Sequence, residues 1–300
     1  MHRIKNWQLL ATCVLAWGTT WYAITFQIGH TPPEVSVALR FGLAGGVVLA
    51  ACALRGLRLR FSLREHARLA LQGGFMYGVS YLCVYHAEKY IVSGLVAVGY
   101  SASPLVSGLG ARLAFGVRMT PRFIVGGGLG LAGVALMFWP EIGKAATGSD
   151  RAALGALFTT LSVLLSAVGS LAASRNREHR LPFWPALGFG MLYGAGSAAL
   201  AALWQGQSFM PPAAASWWFS LLYLALAGSV LSFACFLTLQ ERIGPGPAGA
   251  VGVLTPLLAL VVSMGFEGFR PAPLTFIGAA LAVLGNVLML VKLRVRSRPA

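Results

Sequence analysis

Gly94-Leu95-Val96-Ala97-Val98-Gly99-Tyr100-Ser101-Ala102-Ser103-Pro104 is an apolar stretch that opens on glycine and closes on proline. It has a counterpart 152 residues later in Gly246-Pro247-Ala248-Gly249-Ala250-Val251-Gly252-Val253-Leu254-Thr255-Pro256. The same displacement carries Pro121 to Pro273, Gly126 to Gly278, Gly133 to Gly285, Pro33 to Pro185, Gly42 to Gly194, Ser80 to Ser232 and Cys83 to Cys235. A fixed period running the length of a chain marks an internal duplication. The expected boundary divides it into repeats 1–148 and 149–300.

Composition says where the repeats sit. Of 300 residues, 57% are hydrophobic and 10% charged, and the mean hydropathy is +0.73. So few charges cannot cover that much apolar surface in water. A helix needs roughly 20 apolar residues to span a bilayer. Ten such stretches fall near 7–27, 33–54, 68–87, 91–111, 122–140, 152–173, 183–204, 216–238, 246–265 and 272–291. The expected fold is an all-α membrane protein of ten transmembrane helices. The apolar runs are continuous rather than alternating, which disfavours a β-barrel. Residues 1–27 start like a signal peptide, but the apolar stretch is too long and lacks a small-residue cleavage site. Five spans per copy, an odd number, require the second copy to enter the membrane from the opposite face. Secondary transporters use such inverted repeats to build a central site reachable from both sides.

The net charge of +15 is an orientation signal. Arg3 and Lys5, Arg55 to Arg68, Arg112 to Arg122, Arg175 to Arg180, Arg242, and Lys292 to Arg298 all fall on one side of the ten spans. Lys89, Lys144, Arg151 and Arg270 fall on the other, and Arg40 lies within a span. The positive-inside rule then places both termini in the cytoplasm, with the basic loops facing anionic lipid. No basic patch is interleaved with base-stacking aromatics, so nucleic acid is not an expected partner.

Trp7, Trp139, Trp184, Trp204, Trp217 and Trp218 lie near span ends, where indole rings favour the interface. Trp17 and Trp21 instead share one face in mid-span, where both bundle packing and lining of a solute cavity are open. Tyr77, Tyr81 and Tyr85 follow helical spacing towards Glu88, and a tyrosine hydroxyl must find a partner away from lipid. Tyr100 and Ser101 in the fourth span, Ser166 and Ser170 in the sixth and Phe233 in the eighth complete the candidate lining. Close helix packing is the alternative role for the small residues. Such walls suit an amphipathic solute with an aromatic or thioether body and a hydrogen-bonding end.

Arg40 must face the bundle, since a central arginine costs roughly 2.5–3.5 kcal/mol in lipid. It either captures a carboxylate through paired hydrogen bonds or is a structural arginine bonded to backbone carbonyls. Glu34, Glu88 and Glu267 approach the outer span ends and none of the acids sits at a span centre, which weakens the case for proton coupling, with His86 or Glu88 left to titrate. Pro104 and Pro256 occupy equivalent mid-span positions, and matched interruptions of two inverted halves are a pointer to hinges at a transport site. Gly126, Gly130, Gly133, Gly278 and Gly285 are expected on close-packing faces, and Gly244-Pro245-Gly246-Pro247 forms a tight turn.

Cys13, Cys52, Cys83 and Cys235 lie within apolar stretches without ligand spacing, so packing is expected rather than a metal site or disulfide. The chain has no H-E-x-x-H motif, no intramembrane acid pair and no G-x-S-x-G around Ser101 or Ser103. Neither an enzyme nor a cofactor is expected.

Trp17-Gly18-Thr19-Thr20, Leu39-Arg40-Phe41, and the two prolines followed by Gly133-Val134 and Gly285-Asn286-Val287 resemble motifs of the drug/metabolite transporter superfamily, in its ten-helix EamA branch. Within it, the aromatic lining looks most like the YddG-type exporters of aromatic amino acids and methionine. The resemblance implies two inverted sets of five helices, a central cavity, rocking between inward-open and outward-open states, and export from the bacterial cytoplasm across the inner membrane. Drugs or other metabolites are the alternative cargo, and a passive channel the alternative mode. Where the family carries glycine-glutamate after its fourth and ninth helices, this chain has Glu267 near the second place but Phe115-Gly116-Val117-Arg118 at the first.

Overall fold

The computed structural model describes residues 4–116, 119–145, 151–243 and 250–290. The expected repeat boundary, the Gly244–Pro247 turn, Val117 and Arg118, and the basic residues from 292 onward lie outside them. The described residues are helical throughout, with no strand. Helix α1 is Asn6–Thr25, α2 Pro33–Leu54, α3 residues 63–87, α4 residues 93–115 and α5 Pro121–Ala145. Helix α6 is Arg151–Glu178, α7 Phe183–Trp204, α8 residues 215–243, α9 Ala250–Phe266 and α10 Pro273–Leu290. These stretches coincide with the ten apolar runs. Six of them (in α2, α4, α5, α6, α7 and α8) are long and apolar enough to cross a membrane, while α9 and α10 are shorter apolar helices. Helix α3 is less apolar because its first turns carry Arg64, Glu65, His66 and Arg68.

Local chemistry sets the helix starts. Pro33 begins α2 with its ring nitrogen where no intrahelical bond is needed. Ser62 and Glu65 form a reciprocal cap at α3: Ser62 N–H donates to Glu65 Oε2 at 2.6 Å and Glu65 N–H to Ser62 Oγ at 3.3 Å. The Ser62 backbone bond holds the Glu65 carboxyl below its ordinary range. Helix α4 ends on Gly116 at φ 69°, whose N–H closes on Arg112 O at 2.9 Å; a residue with a side chain adopts that left-handed cap only under strain.

Two helices depart from α geometry. Helix α3 widens to a π-helix over Gly74–Val79, and α8 does so over Leu224–Leu231. The 152-residue shift lays the first segment onto the end of the second. Serines follow the widened turns: Ser229 Oγ donates to Leu224 O at 3.0 Å and Ser232 Oγ to Ala227 O at 2.7 Å. Helix α4 also changes winding, through a 3-10 turn at Tyr100–Ala102 just before Pro104. Pro256, by contrast, lies inside an unbroken α9. The two prolines therefore stand in different local backbones.

The packing mirrors the duplication. Helices α2 and α7, α4 and α9, and α5 and α10, each pair related by the shift, pack on one another. The remaining principal contacts come in exchanged pairs: α1 with α9 and α6 with α4, α1 with α8 and α6 with α3, α2 with α8 and α7 with α3. The α5–α10 contact is backbone against backbone. A Cβ on Gly133 would lie 2.5 Å from Gly278 O, and one on Gly278 would lie 2.5 Å from Gly133 O. Gly126 and Gly285 face each other in the same way. Gly130 offers its backbone to the same contact, its N lying 2.5 Å from a Cβ on Gly285, while its own Cβ position meets open space. Outward faces are apolar, as at Leu113 (88% exposed), Val125, Leu131, Leu200 and Val261.

Trp217 corrects the sequence reading. Though near a span end, it is fully buried in protein rather than exposed, and its Nε1 donates to Thr31 Oγ at 3.0 Å, tying α8 to the α1–α2 connection. Trp7, Trp139, Trp204 and Trp218 are exposed as their position near span ends implied. Trp217→Phe keeps the ring but removes this hydrogen bond, and is expected to cost about 1 kcal/mol. Thermal unfolding of purified protein in detergent reads that loss.

Candidate functional site

A column of rings runs between the halves of the fold. Trp17 on α1 meets Phe236 at 5.3 Å and Phe233 at 5.2 Å, both on α8. Phe233 meets Tyr77 on α3 at 5.3 Å, Tyr77 meets Phe41 on α2 at 5.4 Å, and Phe41 meets Tyr81 at 4.7 Å. The contacts from Phe233 to Tyr81 are edge-on or tilted, the arrangements that ring quadrupoles favour. The Arg40 guanidinium closes the column, 4.8 Å from the Tyr81 centroid and 5.0 Å from that of Phe41. Beside it Trp21 packs on Tyr100 at 5.2 Å. Trp17, Trp21, Tyr77, Tyr81, Tyr100 and Phe233 all belong to one apolar cluster.

The π-helical segment of α8 positions two of these groups. Trp17 Nε1 donates to Gly228 O at 2.9 Å, and Arg40 Nε donates to Ser229 Oγ at 3.2 Å. A widened turn turns backbone and short polar side chains towards neighbouring helices, which explains why such turns recur at functional sites. Arg40 is 1% exposed, and its partners are a hydroxyl and two ring faces rather than the backbone carbonyls considered from sequence. Its Nη1 is buried with no hydrogen-bond partner. The Tyr85 hydroxyl lies beside the guanidinium and donates to Gln27 Oε1 at 3.0 Å.

The remaining expected residues divide. Ser101 is buried, and its carbonyl accepts from Asn286 Nδ2 at 3.1 Å, which joins α4 to α10. The Tyr100 hydroxyl meets Ser162. Ser166 and Ser170 are half-buried on α6, and Ser170 O accepts from Ser174 Oγ at 3.1 Å. Neither serine joins the ring column through a hydrogen bond among the described residues. Phe41 in the column and Gln27 beside its Arg40 end were not among the candidates; the signal was present in Gln27 as a polar residue at the end of the first span and in the Leu39-Arg40-Phe41 motif.

At the end towards Glu88, polar latches hold the helices together. His86 Nε2 and Glu34 Oε1 are 3.0 Å apart, linking α3 to α2, and Gln207 Nε2 donates to Glu34 Oε2 at 3.0 Å. His86 also stacks on Phe158 at 5.3 Å. These groups border a shallow pocket lined in addition by His30 and Lys89. Glu267 caps the N-terminus of α4, accepting from Ser93 Oγ at 2.7 Å and Ser93 N–H at 3.3 Å, and Ser263 Oγ donates to it as well. The equivalent position, Phe115, offers no carboxylate.

Among the described residues no group of three or more His, Cys, Asp or Glu side chains could hold a metal ion. The four cysteines are buried and unpaired by disulfides. The arrangement offers apolar ring faces, a few buried hydrogen-bond donors and one cation, which is a binding surface.

Comparison with known proteins agrees. A relative from Escherichia coli strain K12, the uncharacterized inner membrane transporter YedA, is 27% identical over 277 residues, covering 92% of this chain and 87% of its own length. The uncharacterized transporter YvbV of Bacillus subtilis strain 168 is 24% identical, covering 94% and 88%. A probable terminal-alkyne amino-acid exporter of Streptantibioticus cattleyicolor is 25% identical, covering 94% and 92%. A solved crystal structure with 22% identity superposes with a TM-score of 0.66 over 95% of this chain and 96% of that one, a likeness of fold. The sequence model of the EamA-like transporter family matches twice, over residues 7–139 and 153–291. The chain belongs to the EamA-like transporter family and is a membrane transporter rather than an enzyme.

Proposed function

We propose that this transporter exports amino acids with large apolar or aromatic side chains across the bacterial inner membrane. The observation that carries this reading is the ring column from Trp17 to Tyr81 ending on a buried guanidinium whose Nη1 is unpartnered. Rings receive the side chain, and Arg40 receives the carboxylate. Trp21 Nε1, buried without a partner, is a further donor for the solute. Ser101, Ser166 and Ser170 supply polar atoms to the wall. The names of the relatives from E. coli and S. cattleyicolor support the membrane, the direction and the solute class.

The repeats 1–148 and 149–300 form two inverted five-helix units with both termini in the cytoplasm, where the basic loops meet anionic lipid. The twofold match of the family and the exchanged helix contacts support this topology. Access alternates as helix pairs rock against each other. Pro104 and Pro256 serve as hinges, and the π-helical segments of α3 and α8 let the walls re-seat without losing backbone bonds. Anionic nucleotide cargo is disfavoured, because Arg40 is the one cation inside the spans.

Proteoliposomes loaded with labelled phenylalanine or methionine test the reading. Saturable efflux with counterflow is expected. Leakage equal to that of protein-free vesicles across an amino-acid panel rejects the solute class, and non-saturating flux rejects the carrier mode.

A further inference from the structure

One buried carboxylate is not used by the reading above. Glu88 ends α3 one turn beyond Tyr85, it is 9% exposed, and both of its carboxylate oxygens are buried without a hydrogen-bond partner. Buried polar groups in folded proteins are hydrogen-bonded, so a buried carboxyl group with no partner calls for one. The charged groups whose fields reach it are Glu267, at the end of α9, and Arg40, on α2. Glu267 is already satisfied by Ser93 and Ser263. The acid nearest on α2, Glu34, is paired with His86. Arg40 and Glu88 themselves form no ion pair. The Tyr85 hydroxyl neighbours both, and it donates to Gln27, whose Nε2 is also buried and unpartnered. Arg40 and Glu88 thus both neighbour the Tyr85 hydroxyl, and each keeps buried polar atoms without a hydrogen-bond partner.

We infer that Glu88 binds the ammonium group of a zwitterionic solute whose carboxylate is held by Arg40. An α-amino acid presents an anion and a cation one carbon apart, so it bridges these residues while its side chain enters the ring column. The carboxylate takes the free Arg40 Nη1, the ammonium replaces the missing donors at Glu88, and Gln27 Nε2 donates to the solute carboxylate. This inference rests on the proposed amino-acid function and adds to it a requirement for a free amine. Solutes with only one of the two charges leave a buried group unpaired and bind less well.

The test is equilibrium binding to purified full-length protein in nanodiscs, with phenylalanine, N-acetylphenylalanine and phenylalanine methyl ester as probes. Wild-type protein is expected to bind phenylalanine at least about tenfold more tightly than the N-acetyl form. Glu88→Gln is expected to lower phenylalanine affinity by roughly that factor, leave N-acetylphenylalanine unchanged, and spare the preference for free acid over ester. Glu88→Asp should recover part of the loss. Equal wild-type affinity for phenylalanine and its N-acetyl form overturns the inference while leaving the amino-acid reading intact, and needs no variant to fold. Equal weakening of both probes in Glu88→Gln overturns it in favour of a structural role. Unchanged affinity in Glu88→Gln, with only the pH dependence of flux lost, overturns it in favour of a proton site. Wild-type protein that binds none of the three probes overturns the amino-acid function itself.

Discussion

Gly133→Leu and Gly285→Leu should each prevent α5 and α10 from meeting, with a loss of about 3 kcal/mol or more and little folded protein recovered. The contact between these helices is glycine against glycine, and a Cβ on Gly133 would already lie 2.5 Å from both Gly278 O and Ala282 N. Backbone on both sides cannot rotate away as a side-chain tip would. In a bilayer this close approach is the main attraction available, since lipid tails are as apolar as leucine. Gly128→Leu on the same helix provides the control, because Gly128 is exposed and its Cβ position meets open space. It should melt within about 0.5 kcal/mol of the parent. Thermal unfolding and size-exclusion recovery of the three variants decide the matter; equal behaviour would mean that the α5–α10 contact is not what holds this side of the bundle.

The second large effect concerns transport rather than folding. Arg40→Gln should reduce efflux of labelled phenylalanine by roughly 30-fold or more, the loss expected when one partner of a buried charged contact is removed. Arg40 is held by Ser229 and by the faces of Phe41 and Tyr81, so glutamine retains a polar end near Ser229 but no charge for a carboxylate. The same substitution should change binding of the methyl ester little. Trp17→Ala, Trp21→Ala and Tyr77→Ala should each reduce flux by roughly 10-fold to 100-fold through lost ring contact. Trp17→Phe separates two contributions, since it keeps contact with Phe233 and Phe236 but loses the bond to Gly228 O. Normal transport by all three alanine variants would show that the column is core packing.

Much of this architecture was legible from the duplication and the apolar periods, because bilayer thickness fixes span length and glycine pairs report close contact. What the periods could not register was winding. A π-helical turn adds a residue without changing which residue types are apolar, so Gly74–Val79 and Leu224–Leu231 look like ordinary helix in the sequence. The backbone around the matched prolines was equally silent: Pro104 follows a 3-10 turn, while Pro256 lies in continuous helix. Trp217 was assigned to the interface from a general preference of indole, which cannot tell that Thr31 offers its N–H a buried acceptor. Glu88 was placed near an outer span end from its position in the chain, which cannot tell that the fold buries it with Glu267 nearby. Arg40 was legible because a lone intramembrane cation must have a reason. Which partners it would choose depended on the π-helical turn of α8.

Inverted repeats require the two halves to cross the bilayer in opposite senses, and single-cysteine labelling reads this directly. With Cys13, Cys52, Cys83 and Cys235 replaced, cysteine is placed at His30, after α1, or at His179, after the matching α6; both positions are exposed. An impermeant maleimide added to intact cells should label position 30 at once and position 179 only after permeabilisation. Labelling of both positions from the same side would contradict inverted repeats, and with them the chamber to which the ring column and Arg40 are assigned.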